Sequence, residues 1–329
     1  MRPIQTLPLP GNVLSKLLTG GFLFCEDVFE EDGKKIKLEA RERLNNLPAE
    51  VVRKLESIQE CPKTITALDL YNEEIKSEQI VTFSQSVDKL LDGGITLGEV
   101  TELSGASGSG KTQLCLQLCI SVQIPTILGC VEGEAIYVDT NSGFSAPRLD
   151  EIAKASYSKC VNAIRIQKLD IHKLPVDHRS WLEGVQLMEV HTWEQLMATI
   201  YIINGILKSN SKVKLIVIDS LNFPFINMEN TLTRTELVCR VVKQLQKIAE
   251  DFKVAVVLVN QLTTRIVKQE AILQPALGDY YGHILSKRFL LGCEANPQQT
   301  HSIAVYKSSS LPASFVEFMI TGNGIEDVE

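Results

Sequence analysis

From residue 79 onward the chain alternates short apolar runs with longer stretches whose apolar residues recur at helical spacing. The runs predict strands at Glu99–Leu103, Ala135–Asp139, Val185–Val190, Leu215–Asp219, Val254–Asn260, Ser302–Tyr306 and Phe315–Ile320. Several are unbroken Val, Ile and Leu, the composition of strands covered on both faces. Trp193–Lys208 and Leu232–Asp251, rich in good helix formers, fall between them. This alternation predicts an α/β fold with a mostly parallel central sheet; the last strands, joined by short connections, are expected to be antiparallel.

The first residues follow another pattern. Leu14, Leu17 and Leu18 form an apolar stripe that Gly20-Gly21 ends, and Val51, Leu55 and Ile58 repeat at helical spacing behind Pro48. A small all-helical N-terminal domain is expected over residues 1–60, a polar linker with one helical turn over 61–78, and the α/β core over 79–329. Met1 to Gly11 lacks the apolar segment of a secretory signal. Thr112 to Val131 carries no charge over a membrane-spanning length, but Gln113, Gln117, Gln123 and Pro125 argue for a buried helix and no membrane association.

Composition narrows the functional classes. Of 329 residues, 44% are hydrophobic and 22% charged, which suits a folded soluble protein. The 33 basic against 40 acidic residues give a net charge of −7, so no global positive field draws the chain to nucleic acid; any such contact must come from a local patch. Eight cysteines are scattered without a close pair of the redox or zinc type, which suggests free thiols in a reducing compartment. Cys115 and Cys119 lie one helical turn apart, but no second pair completes a metal site.

One segment carries chemistry. Gly105-Ala106-Ser107-Gly108-Ser109-Gly110-Lys111-Thr112 has the spacing of a phosphate loop, follows an expected strand and opens an expected helix. Glycines let backbone N–H groups wrap a phosphate chain, the helix N-terminus adds a favourable field, Lys111 reaches the β and γ oxygens, and the Thr112 hydroxyl ligates Mg²⁺. Asp219 ends an apolar strand, where a phosphate-loop protein places the carboxylate that orients Mg²⁺ through water. Asn260 and Gln261, at the end of another strand, are placed to reach the same sheet edge. Trp181 and Trp193 flank a strand and open a helix, so packing is expected of them; His283 is read either as a core residue or as a gate beside a loop.

In order across residues 79–310, Phe83, Val87–Ile95, Glu99–Thr101, Gly110–Leu118, Val122–Pro125, Gly133–Thr140, Leu258–Gln261 and Gly282-His283 resemble the RecA/RadA recombinase superfamily. Thr66–Leu70, Phe223-Pro224-Phe225, Asn260–Thr264, Pro275–Gly278 and Tyr306–Ser308 are similar to the C-paralogue branch of the eukaryotic recombinase. The resemblance implies a RecA-like ATPase core behind a helical DNA-binding domain. It also implies that residues Gly105 to Gln113 hold ATP, Arg148 lies against the adenine, Thr112 and Asp219 serve Mg²⁺, and Lys111 and Gln261 are catalytic, with Gln261 sensing the γ-phosphate. Arg234 would close a first DNA-binding loop over residues 226–233, and Arg265 and Lys268 would lie in a second over 262–280. The partners implied are other recombinase paralogues, single-stranded DNA and the core recombinase filament. The compartment implied is the nucleus, with a cytoplasmic pool.

Three departures qualify that expectation. Asn141 stands where the family usually has the glutamate that activates water; an amide can bond water but cannot take its proton, so weak hydrolysis is expected. The linker has Thr64-Ile65-Thr66-Ala67 in place of the phenylalanine that docks on a neighbouring subunit. The chain ends on acidic residues, not the basic tail common in the C paralogue. Two functions are therefore expected: a DNA-dependent ATPase subunit of a paralogue complex in homologous recombination and double-strand break repair, or an adaptor in which ATP gates assembly with negligible turnover.

Overall fold

The computed structural model describes residues 3–6, 11–28, 42, 64–267, 270–294 and 300–328. The chain divides into two compact units, residues 1–75 and 76–329. In the first, α1 (Gly11–Thr19) buries Val13 and Leu17, and Gly21 follows it in the left-handed conformation open to glycine (φ +86°). The short α2 (Cys25–Val28) comes next. The expected helix around Val51, Leu55 and Ile58 lies outside the described residues. Where a single helical turn is expected in the linker there is an eight-residue helix, α3 (Ala67–Glu74). The Thr66 hydroxyl caps it by accepting a bond from the Asp69 N–H (3.1 Å).

The second unit is a RecA-like α/β domain. Its strands are β1 (Gln79–Ile80), β2 (Ile95–Thr96), β3 (Val100–Gly105), β4 (Glu134–Asp139), β5 (Val185–Glu189), β6 (Val213–Asp219), β7 (Ala255–Val267), β8 (Glu270–Pro275), β9 (Lys287–Cys293), β10 (His301–Lys307), β11 (Phe315–Thr321) and β12 (Gly324–Asp327). Its helices are α4 (Gln85–Leu90), α5 (Lys111–Ser121), α6 (Ala146–Gln167), α7 (Arg179–Glu183), α8 (Trp193–Ser209), α9 (Thr231–Phe252) and α10 (Gly278–Ile284). The main sheet runs β12-β11-β10-β9-β3-β7-β6-β4-β5, with β8 paired to the outer part of β7. Strands β9, β3, β7, β6, β4 and β5 are mutually parallel, and the β9 to β12 meander is antiparallel, as its short connections require.

Alternation along the central strands builds two cores. Tyr137, Leu215, Val217, Val257 and Val259 face α5 and α6, while Ile136, Val138, Ile216, Ile218, Val256 and Leu258 face α8 and α9. Helix α5 is buried nearly all round, including the thiols of Cys115 and Cys119, which explains its uncharged sequence. Trp181 is buried with its ring edge-on to Tyr157 (5.7 Å), and Trp193 packs against the second core, so both tryptophans are packing residues. Among the described residues no helix is long and apolar enough to cross a membrane.

Besides the short β1, β2 and β12, which no apolar run announced, the strand pattern departs from expectation in two places. β9 opens with Lys287 and Arg288, which hide its apolar run from a hydropathy reading. Arg288 is buried because its Nε bonds the carboxylate of Glu102, which is itself wholly inaccessible. The segment expected as a loop over 262–280 is a β-hairpin, β7 continuing to Val267 and returning as β8, followed by α10. Extended, β-branched residues such as Thr263, Thr264 and Ile272 suit that pairing.

The Glu102–Arg288 pair predicts its own test. Glu102→Ala leaves a buried guanidinium without its counter-charge, which costs about 3–5 kcal/mol. A drop in melting temperature of roughly 10 °C is expected for a domain of this size. In a double-mutant cycle, Glu102→Ala with Arg288→Ala should lose clearly less than the sum of the two. Strict additivity would show the pair to be uncoupled.

Candidate functional site

Strand register assembles the site. Gly105 lies opposite Gln261 on the β3–β7 pair, and Asp139 lies opposite Asp219 on the β4–β6 pair, so four chemical groups meet at the carboxyl edge of the parallel strands. That edge is where open α/β sheets bind ligands. A cavity of about 400 Å³ sits there, lined by Ser107, Gly108, Gly110, Lys111, Thr112, Gln113, Asn141, Asp219 and Gln261 from the sequence expectation, and also by Ser220, Val259, His301 and Ile320.

The loop between β3 and α5 is held open for a ligand by its backbone. Gly108 (φ +79°) and Gly110 (φ +92°) occupy the left-handed region, and a side chain at Gly105 would strike the Leu291 carbonyl at 2.5 Å. The Lys111 ammonium donates to the carbonyls of Gly105 (2.9 Å) and Ala106 (2.7 Å) and to Ser109 Oγ (3.3 Å), which accounts for its three protons. Burial pulls its pKa below the ordinary lysine value, with Asp219 partly offsetting that. Phosphate oxygens would take over these donors.

Asp219, 2% exposed, accepts bonds from Thr112 Oγ1 (2.6 Å) and from the Tyr137 hydroxyl (2.8 Å). Burial pushes its carboxyl above the usual range, although both hydrogen bonds pull it down. Because Thr112 donates its proton to Asp219, the lone pairs of its oxygen remain free for a hard cation. Thr112 and Asp219 thus fit Mg²⁺, which would neutralise the charge of a bound phosphate chain.

Other expected residues are placed differently. Asn260 does not reach the cavity: its amide turns inward and donates to Glu102 (2.7 Å) and to the Ala276 carbonyl (2.9 Å), leaving Gln261 alone at the edge. Arg148 is tied back, its Nε to Gln113 (2.7 Å) and its terminal nitrogens to Glu151 and to the Thr321 and Gly322 carbonyls, so it braces the cavity from behind Gln113. Asn141 lines the cavity while its Oδ1 accepts from the Gly143 N–H (3.1 Å).

Of the three cations expected to meet DNA, Arg265 pairs with Asp279 (2.8 Å), and Lys268 lies outside the described residues. Arg234 is not in a loop but half-buried in the first turn of α9, whose N-terminus is capped by Asn230. His283 is exposed at the end of α10 and so is no core residue. His301 carried no signal in the sequence. It is buried beside Gly110 and stacks on Phe318 (5.6 Å).

This is the architecture of a phosphate-loop α/β domain of the RecA type, with loop, acidic strand end and edge amide in one cavity. Comparison with known proteins makes the assignment specific. A family model described as Rad51 matches residues 75–328, and the chain belongs to the Rad51 family. It is 34% identical to "DNA repair protein RAD51 homolog 3" of Cricetulus griseus, over 99% of this chain and 92% of that protein. It is 32% identical to the protein of the same name from Dictyostelium discoideum, over 80% of this chain and 70% of that one. Similarity extends to "DNA repair and recombination protein RadA" of Aeropyrum pernix, 31% identical over 80% of this chain and 78% of that protein.

The raised carboxyl of Asp219 sets a pH dependence. A buried acid whose folded-state pKa lies above the ordinary carboxylate value costs stability when ionised, and the cost vanishes once it is protonated in both states. Asp219→Asn is therefore expected to raise the melting temperature of the nucleotide-free protein at pH 7.5, with the gain shrinking as the pH falls toward 4. A loss of stability at pH 7.5 would show that ionised Asp219 stabilises the fold.

Proposed function

We propose that this chain is an ATP- and Mg²⁺-binding subunit of a recombinase-paralogue complex. It engages single-stranded DNA during homologous recombination and double-strand break repair, works in the nucleus, and hydrolyses ATP slowly. The observation that carries the reading is the Thr112–Asp219 contact beside a loop whose Lys111 occupies the space between loop carbonyls. Cation ligand, acidic orienter and phosphate donor are thereby grouped in one cavity. The named relatives, a RAD51 homolog 3 and a RadA, support the repair context.

Asn141 supports slow turnover. Its carbonyl is engaged by Gly143 and its amide cannot accept a proton, so no group at this position serves as a general base. The same observation favours the adaptor reading, in which ATP gates assembly with other paralogues and loading of the core recombinase filament.

ATP affinity and turnover measured for the unmodified chain, Lys111→Ala and Asn141→Glu, with and without single-stranded DNA and paralogue partners, test both. Lys111→Ala should weaken ATP binding roughly tenfold to a hundredfold, the range for a charge-assisted hydrogen bond. Turnover by the unmodified chain should stay below ~1 s⁻¹, and Asn141→Glu should raise it by about a hundredfold if water is otherwise positioned. Brisk DNA-stimulated turnover by the chain alone would remove the adaptor reading. ATP that left both DNA affinity and assembly unchanged would remove both readings.

A further inference from the structure

Of the cations expected to meet DNA, Arg265 is paired with Asp279 and Arg234 is half-buried. Unspent positive charge lies elsewhere. Arg240, Lys243 and Lys247 stand on one exposed face of α9 and line an open groove of about 750 Å³ that Tyr280 of α10 closes on one side. Their i, i+3, i+7 spacing sets three like charges along about 10 Å of helix, at 1.5 Å per residue. Neighbours of this kind repel, a local cost that an anion removes. The single carboxylate in the groove, Glu236, reaches only Arg240, at 3.5 Å between two exposed side chains. Such a contact contributes little. Lys243 and Lys247 have no hydrogen bond or ion pair among the described residues.

From this face we infer a second nucleic-acid contact: a single strand leaving the β7–β8 hairpin runs along α9, its phosphates on Arg240, Lys243 and Lys247 and a base on Tyr280. The inference rests on the DNA-binding reading and adds a track to it. Three features select a nucleic-acid strand. Regularly spaced cations match a ligand bearing one charge per residue. The Tyr280 ring is 62% exposed beside them, as a stacking platform must be. Tyr280 also directly follows Asp279, the residue that holds Arg265 of the hairpin. In a chain of net charge −7, this face is where a polyanion meets attraction.

The test is fluorescence anisotropy of a labelled oligothymidylate with the full chain, at several salt concentrations. Single-stranded binding loses about 0.7 in log-log salt slope per phosphate contact released. Lys243→Ala/Lys247→Ala should therefore flatten the slope by about 1.4 and weaken binding about tenfold at low salt. Lys154→Ala, exposed on α6, should change neither. Tyr280→Ala should weaken binding at least roughly fivefold with the slope unchanged, and Tyr280→Phe should restore it. If the unmodified chain binds the oligonucleotide and the double variant keeps the full slope, the α9 track is wrong while the DNA-binding reading stands. If the unmodified chain does not bind, both fall. If the double variant keeps its DNA affinity but loses a paralogue partner, the face is a protein interface and the track is overturned.

Discussion

A carboxylate with no access to water joins three strands of the sheet that carries the site. Glu102 sits in β3, immediately before the phosphate loop; it binds Arg288 of β9 and Asn260 of β7. Asn260 in turn holds the Ala276 carbonyl, where the β7–β8 hairpin ends, and the Arg288 guanidinium lies over the rings of Tyr281 and Tyr306. A buried charge of this kind is stable only with every partner in place, so it fixes the relative position of loop, edge amide and hairpin. Gln261, the residue after Asn260, inherits its place at the cavity from that constraint.

Lys111, Thr112 and Arg148 at and behind the cavity are hydrogen-bonded within the chain. Lys111 spends its protons on the loop, Thr112 on Asp219, and Arg148 on the β11–β12 turn, so binding would exchange internal hydrogen bonds for bonds to phosphate without leaving a buried charge unpaired. Where a water-activating base is expected the cavity has an amide, Asn141; Gln261 is an amide too, Asp219 is occupied by two donors, and His301 supplies an imidazole to the lining. Net acidity of the whole chain does not preclude a local cluster of cations such as that on the exposed face of α9.

Much of this was legible in the chain. Unbroken Val and Ile runs located the central strands because both faces are covered, and the phosphate loop announced itself because its backbone needs glycine at fixed positions. Asp219 followed from its place at a strand end. Two features were hidden by partners distant in sequence: Arg288 disguises β9 until Glu102 is seen beneath it, and Asn260 turns inward for the same carboxylate; the bonds of Arg148 to carbonyls 173 and 174 residues away were equally out of reach. His301 enters the cavity only because β10 joins the sheet through β9. The α9 cations Arg240, Lys243 and Lys247, by contrast, carry a helical spacing readable in the chain.

Hydrogen exchange of residues 262–276, with and without Mg²⁺ and a non-hydrolysable ATP analogue, tests most directly whether the buried Glu102 network ties the cavity to the hairpin. The account predicts slower exchange in the hairpin when nucleotide is bound, and loss of that protection in Glu102→Gln. Protection confined to the phosphate loop, with the hairpin exchanging at the same rate in both states, would contradict it.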